Sequence, residues 1–178
     1  MSIIFSPGSL FHQFTGFEDS RSILTHTQPS SISRFAKFIQ TKQAHEYLHV
    51  GLHNFNLVDM RTFAHLMSSF STSDSSALQE ILDKNYQVLI YAGQFDPIMN
   101  HLGVEKMIRN LTWVGASDYN SKDNQRKIWK FNEDIAGYSK KVRNLNYVMV
   151  RGAGNYAILD QPQVTLEMIT KFCRGEDL

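Results

Sequence analysis

Residues 88–96, Val-Leu-Ile-Tyr-Ala-Gly-Gln-Phe-Asp, decide how the rest of this sequence is read. Four apolar residues run without alternation and close on Gly93. That pattern predicts a strand buried on both faces, as in the parallel sheet of an α/β protein. Asp96 falls just past the strand end. In open α/β sheets the crevice beyond the carboxyl ends of the strands is where ligands bind, so an acid there is a candidate functional residue. A solvated loop aspartate is the alternative. A second strand, Asn146 to Arg151, runs into Gly-Ala-Gly-Asn-Tyr at 152–156 and then Asp160-Gln161-Pro162.

Taken in order, residues 1–32 are rich in Ser, Thr, Gly and Pro with no apolar period, and read as an irregular lead-in. From Ser33, the spacing of Phe35, Phe38, Ile39, Ala44, Tyr47 and Leu48 predicts a helix ended by Gly51. A second helix starts near Asp59 and carries Met60, Phe63, Ala64 and Met67. The Ser-Thr run 68–76 separates it from a third with Leu78, Ile81 and Leu82. Beyond Asp96, Val104, Met107, Ile108 and Leu111 mark an amphipathic helix ending near Trp113, and 115–125 reads as polar loop. Residues 126–131 and 135–142 are predicted to form a hairpin turned by Asn132-Glu133-Asp134. A last helix follows Pro162, with Val164, Leu166, Met168, Ile169 and Phe172 toward the core. The expected organisation is one α/β domain over 1–178: lead-in to 32, helices over 33–85, sheet and helices over 86–178.

Composition narrows the function classes. The chain of 178 residues is 42% apolar with a net charge of +1. Charges of both signs are dispersed, so no field selects nucleic acid or an anionic membrane, and neither partner is expected. No run approaches the ~20 apolar residues of a membrane helix. One cysteine, Cys173, rules out an internal disulfide. No secretion signal is seen in the first ten residues, and the location is left open. Asn110-Leu111-Thr112 fits the N-glycosylation acceptor pattern, which is used only if the chain enters the secretory route.

The two strand ends resemble those of the serine carboxypeptidase family, in particular its vitellogenic-like branch. In that family an apolar strand ends in Gly-Gln-X-Asp, which supplies the triad acid, and a later strand ends in Arg-Gly-Ala-Gly-His, which supplies the base. Asp96 matches the first. At the second, Gly152-Ala153-Gly154 match, Asn155 stands where the family has His, and Asp160-Gln161-Pro162 restores the register. Gln43 to Gly51 resembles a family helix ending in Leu- or Ile-His-Val-Gly. The likeness runs from about Phe35 to the end.

The resemblance implies the C-terminal portion of an α/β-hydrolase fold, with 33–85 as part of a helical cap, and a family reaction that releases C-terminal residues from peptides. It also implies that this chain is inactive. The family's Gly-Glu-Ser-Tyr nucleophile turn and Trp-Asn-Gly-Gly-Pro-Gly oxyanion loop belong upstream of the matched region, and no G-x-S-x-G occurs here. Asp96, the expected acid, would have no imidazole to orient. Peptide is the substrate class of the family and no cofactor is expected. The alternative is a truncated protein that acts by binding, self-associating or docking on a partner through an exposed sheet edge.

A third reading comes from His45-Glu46-Tyr47-Leu48-His49, which fits H-E-x-x-H, two zinc ligands one helical turn apart with Glu46 as base of a metallopeptidase. The extended pattern fails, with Leu52 at its Gly and Phe55 at its third His. Against the zinc reading stands a pair of solvated or cap-packing histidines.

Overall fold

The computed structural model describes residues 8–18, 20–27, 29–56, 59–71 and 75–178. Part of the lead-in, 1–7, and the centre of the Ser-Thr run, 72–74, lie outside the described residues. The chain divides into two compact units, one of residues 1–26 with 75–178 and one of 27–74.

The larger unit is built on a four-stranded sheet, β1 (Val88–Gly93), β2 (Lys127–Phe131), β3 (Asp134–Val142) and β4 (Leu145–Val150), in the order β1-β4-β3-β2. β1 pairs parallel to β4, with Val88 opposite Leu145 and Gly93 opposite Val150, and β4–β3 and β3–β2 are antiparallel. The hairpin between β2 and β3 turns on Asn132 and Glu133 alone. Both have positive φ, 48° and 70°, the twist a two-residue hairpin turn needs. Asp134 therefore belongs to β3, a correction to the sequence reading, which had placed it in the turn.

Burial on both faces, expected of β1, is realised in β4. Leu145 and Tyr147 face one apolar cluster with Leu82, Ile108, Leu111 and Trp113, while Val148 and Val150 face another with Trp129, Ala157 and Met168. β1 is the sheet's edge. Its Val88, Leu89 and Ile90 are half-buried and Tyr91 is 39% exposed, because β4 takes the central place. An unbroken apolar run marks a strand meant for a sheet interior, and the same run cannot say what lies beyond it.

Helices α5 (Ser76–Asp83), α6 (His101–Arg109) and α9 (Pro162–Arg174) flank the sheet. α6 is started by Asn100, whose Oδ1 accepts the Gly103 N–H. Pro162 opens α9 and Gly175, at φ 72°, closes it, following the preference for proline at the start and glycine past the end. The buried stripe of α9 runs through Thr165 and Met168. Leu166 is 67% exposed because it lies off the 3.6-residue stripe that Thr165, Met168 and Ile169 share, and Ile169, on that stripe, is still 37% exposed, so neither expected core residue is fully buried.

Three short helices depart from the sequence reading. α1 (Leu10–Thr15) forms within the supposed irregular lead-in, capped by Ser9 and closed by left-handed Gly16. α7 (Ala116–Asn120) sits in the supposed polar loop and buries Tyr119 completely. α8 (Ala157–Asp160) precedes α9. Each has six residues or fewer, too short to display a period.

The smaller unit holds α2 (Ser30–Ile39), α3 (Lys42–Leu48) and α4 (Met60–Ser71). The single helix expected over 33–50 is two. Thr41 is extended, at ψ 148°, and its hydroxyl accepts the Ala44 N–H, so it begins α3 where a continuous helix would have run on.

Candidate functional site

The parallel pairing of β1 with β4 brings their carboxyl ends side by side, and the loops beyond them are stitched together by backbone bonds. The Gln94 N–H donates to Val150 O at 2.9 Å and the Phe95 N–H to Ala153 O at 2.8 Å. The approach is close enough that position 93 must be glycine. A Cβ there would collide with the Gly154 carbonyl and lie 2.5 Å from the Ala153 oxygen. Gly152 turns the second loop at φ 70°, a conformation that suits glycine. Its N–H is held by Gln94 Oε1 and its carbonyl by Gln161 Nε2, both at 3.2 Å.

These loops place Asp96 and Asn155 in contact. Asp96 is 5% exposed, and its Oδ1 accepts the N–H groups of Ile98 at 2.8 Å and Met99 at 3.0 Å. Its Oδ2 accepts the Asn155 carboxamide at 2.9 Å. The direction of that bond follows from chemistry, since an ionised carboxylate only accepts and the amide nitrogen only donates. All three partners of Asp96 are N–H donors, and the carboxamide, unlike an imidazole, adds no nitrogen able to receive a proton.

Asp160 and Gln161, which served only to fix the register, act here: Asp160 Oδ2 accepts the Gly154 N–H at 2.7 Å, while Gln161 holds Gly152. The sequence reading missed the segment that crosses the second loop. The Asn155 N–H donates to Arg21 O at 2.7 Å, and Arg21 Nη1 donates to the Tyr156 hydroxyl at 2.9 Å, with its guanidinium 4.8 Å above that ring. The Ile23 N–H donates to Phe95 O at 3.3 Å. Residues 21–23 thus bridge the loops that carry Asp96 and Asn155. Nothing in the composition of the lead-in marks them, because every one of these links but the arginine's is made by backbone.

The H-E-x-x-H stretch lies in the smaller unit, and only half of it keeps the geometry the motif requires. His45 and Glu46 are on α3, but His49 is the residue that ends it, at φ 55° in the left-handed region. The second imidazole therefore does not continue the helical face of the first. Glu46 is within 3.6 Å of Lys42, and among the described residues no group of three or more His, Cys, Asp or Glu side chains is arranged to hold a metal ion.

Residues 12–175 match the serine carboxypeptidase family, so the likeness begins well before Phe35. The venom serine carboxypeptidase of Apis mellifera is 34% identical over 169 residues, covering 94% of this chain and 36% of that protein. The probable serine carboxypeptidase CPVL of Mus musculus is 34% identical over 167 residues, covering 92% of this chain and 34% of its own. The chain spans about a third of the length of these curated relatives. Among solved structures, Kex1(delta)p, a prohormone-processing carboxypeptidase from Saccharomyces cerevisiae, superposes with a TM-score of 0.70 at 24% identity, over 83% of this chain and 32% of that one. The shared fold is that of an α/β hydrolase.

Proposed function

Because this chain belongs to the serine carboxypeptidase family, we propose that it keeps the strand-end scaffold of the family's site without the proton acceptor the scaffold serves, and that it acts by binding and not by peptide hydrolysis. The observation that carries this reading is the bond from the Asn155 carboxamide to Asp96. An imidazole at that position would donate one ring N–H to the carboxylate and present its other nitrogen to a nucleophile. A carboxamide offers the first half of that arrangement only, because it takes up no proton near neutral pH. The defect does not depend on the nucleophile. Even with a serine brought into reach, loss of the base alone costs on the order of a millionfold in rate, since triad members act as a unit.

The test is hydrolysis of a blocked dipeptide. The 178 residues alone are expected to show none, and so is Asn155→His alone, which has no nucleophile turn or oxyanion donors. Combined with the upstream portion of a relative, supplied as a separate chain, only the Asn155→His form should turn substrate over. Turnover by the Asn155 form, matched to active-site titration, would overturn the reading. If that turnover were lost with a chelator and with Glu46→Gln, it would belong to zinc chemistry at 45–49.

What the chain binds follows from β1. No other strand among the described residues pairs with its outer side, and an edge of this kind accepts a strand from elsewhere. The occupant we assign is the upstream portion of a serine carboxypeptidase fold, in the same chain or another, because matched relatives carry about two-thirds of their length outside the aligned region. Co-purification of the two portions is the expected result, and failure to associate when they are co-expressed as soluble proteins would count against it.

A further inference from the structure

We propose that Asn110 carries an N-linked glycan. The proposal stands apart from the catalytic reading and rests on how one tripeptide is displayed. Asn110-Leu111-Thr112 is the one Asn-x-Ser/Thr triplet in the sequence. Asn110 caps α6, at φ −92° and ψ −2°, and the two residues after it leave the helix without regular structure. Asn110 and Thr112 are both exposed, while Leu111 between them is 3% exposed and packed into the core beside Ile108 and Trp113. The buried leucine fixes the triplet to the surface with its two reactive side chains outward.

Asn110 is also uncommitted. Five asparagines of the same unit have carboxamides engaged in the fold: Asn100 with Gly103, Asn120 with Arg109, Asn124 with Asp118, Asn144 with Leu82 and Tyr86, Asn155 with Asp96. The Asn110 carboxamide has no hydrogen-bond partner among the described residues. Its bonds are made by its backbone N–H, to the carbonyls of Lys106 and Met107. A sugar on its Nδ2 therefore displaces no contact.

The position suits the rest of the molecule. α6 begins after the Asp96 loop, and the chain at Leu111 packs beside Leu145, which pairs with the first residue of β1. Asn110 and Asp96 thus lie toward opposite ends of a six-residue strand, roughly 20 Å long at ~3.3 Å per residue. A glycan there leaves the strand-end loops open.

In the transfer, the Asn110 carboxamide nitrogen displaces the diphosphate of a lipid-linked oligosaccharide at its anomeric carbon. The C–N bond forms, the C–O bond to phosphate breaks, and the amide proton leaves with a base of the transferase.

The test is mass analysis of the peptide spanning Asn110, taken from the protein isolated from its source and treated with a peptide N-glycosidase. Conversion of Asn110 to Asp is expected, and recovery of Asn110 wholly unmodified would overturn the proposal. In a eukaryotic host with secretory targeting, the chain should migrate with a glycosidase-sensitive shift that Thr112→Val abolishes and Thr112→Ser retains. A secreted, unshifted wild-type chain would also overturn it, and Thr112→Ser keeps the comparison informative if the valine variant folds poorly.

Discussion

At Asn155 a carboxamide and an imidazole differ in one capacity and agree in another, and stability and activity separate along that line. Both can donate to Asp96 Oδ2, so Asn155→His should leave the urea midpoint nearly unchanged. Asn155→Leu removes the donor and leaves one oxygen of a buried carboxylate without a partner, a loss of about 1–3 kcal/mol measurable by urea unfolding. If the leucine variant matched the parent, Asp96 would be held by the Ile98 and Met99 amides alone. Gly93→Ala makes a second contrast at the same crossing. The added methyl meets backbone carbonyls of 153 and 154, which cannot rotate away, so a loss of about 3 kcal/mol is expected in the same measurement. A small loss would mean that the loops slide apart at little cost.

The edge strand β1 has a parity that can be tested. The N–H groups of Val88 and Gln94 donate to Asn144 and Val150, so by alternation those of Leu89, Tyr91 and Gly93 point away from β4. Proline at 91 deletes an outward donor without touching the inner ladder. If the isolated chain associates through this edge, Tyr91→Pro should shift its sedimentation toward monomer with the thermal transition little changed. A parent chain that is monodisperse with a sharp transition would refute edge-driven association. The sequence announced the existence of β1 and β4 and the meeting of their ends, because a long apolar run and the Gly-rich turns that follow are strong local signals. The place of β1 at the sheet edge was hidden, since it depends on which strand sits beside it. The break at Thr41, the helix around Tyr119 and the bridge at 21–23 were hidden for another reason. They are set by single caps and backbone bonds that leave no period, and Thr41 looks like any polar residue until its hydroxyl is seen holding the Ala44 amide.

For the molecule as a cooperative unit, the tyrosines of the first core cluster dictate behaviour in alkali. Burial, reinforced by Glu105, raises the Tyr147 hydroxyl from 10.0 to about 12 and moves Tyr119 in the same direction. Between those values the unfolded chain gives up protons that the folded chain retains, so stability present below pH 10 falls as pH rises toward 12. Lys140, lowered by burial, acts oppositely below pH 10.5, where the folded state is the one short of a proton. The net expectation is a declining urea midpoint above about pH 10.5, with a shallower decline in Tyr147→Phe. That variant should start about 1 kcal/mol lower below pH 10, because the phenol also donates to His101 O at 2.6 Å, and the gap should narrow as pH rises. An unchanged slope would show that Tyr147 ionises as readily folded as unfolded. The sheet order also sets a sequence of events in time. β2, β3 and β4 are joined by two-residue turns, so their pairing closes short loops, whereas β1 must find β4 across the 51 residues between Gly93 and Leu145. Loop closure of that length slows pairing, so the meander should form early and β1 dock late. Substitutions in β1 should then speed unfolding and leave the folding rate alone, while those in the β3–β4 hairpin slow folding. Asp96 and Asn155 are strangers until that final step, which makes the bond between them a reporter of completed folding.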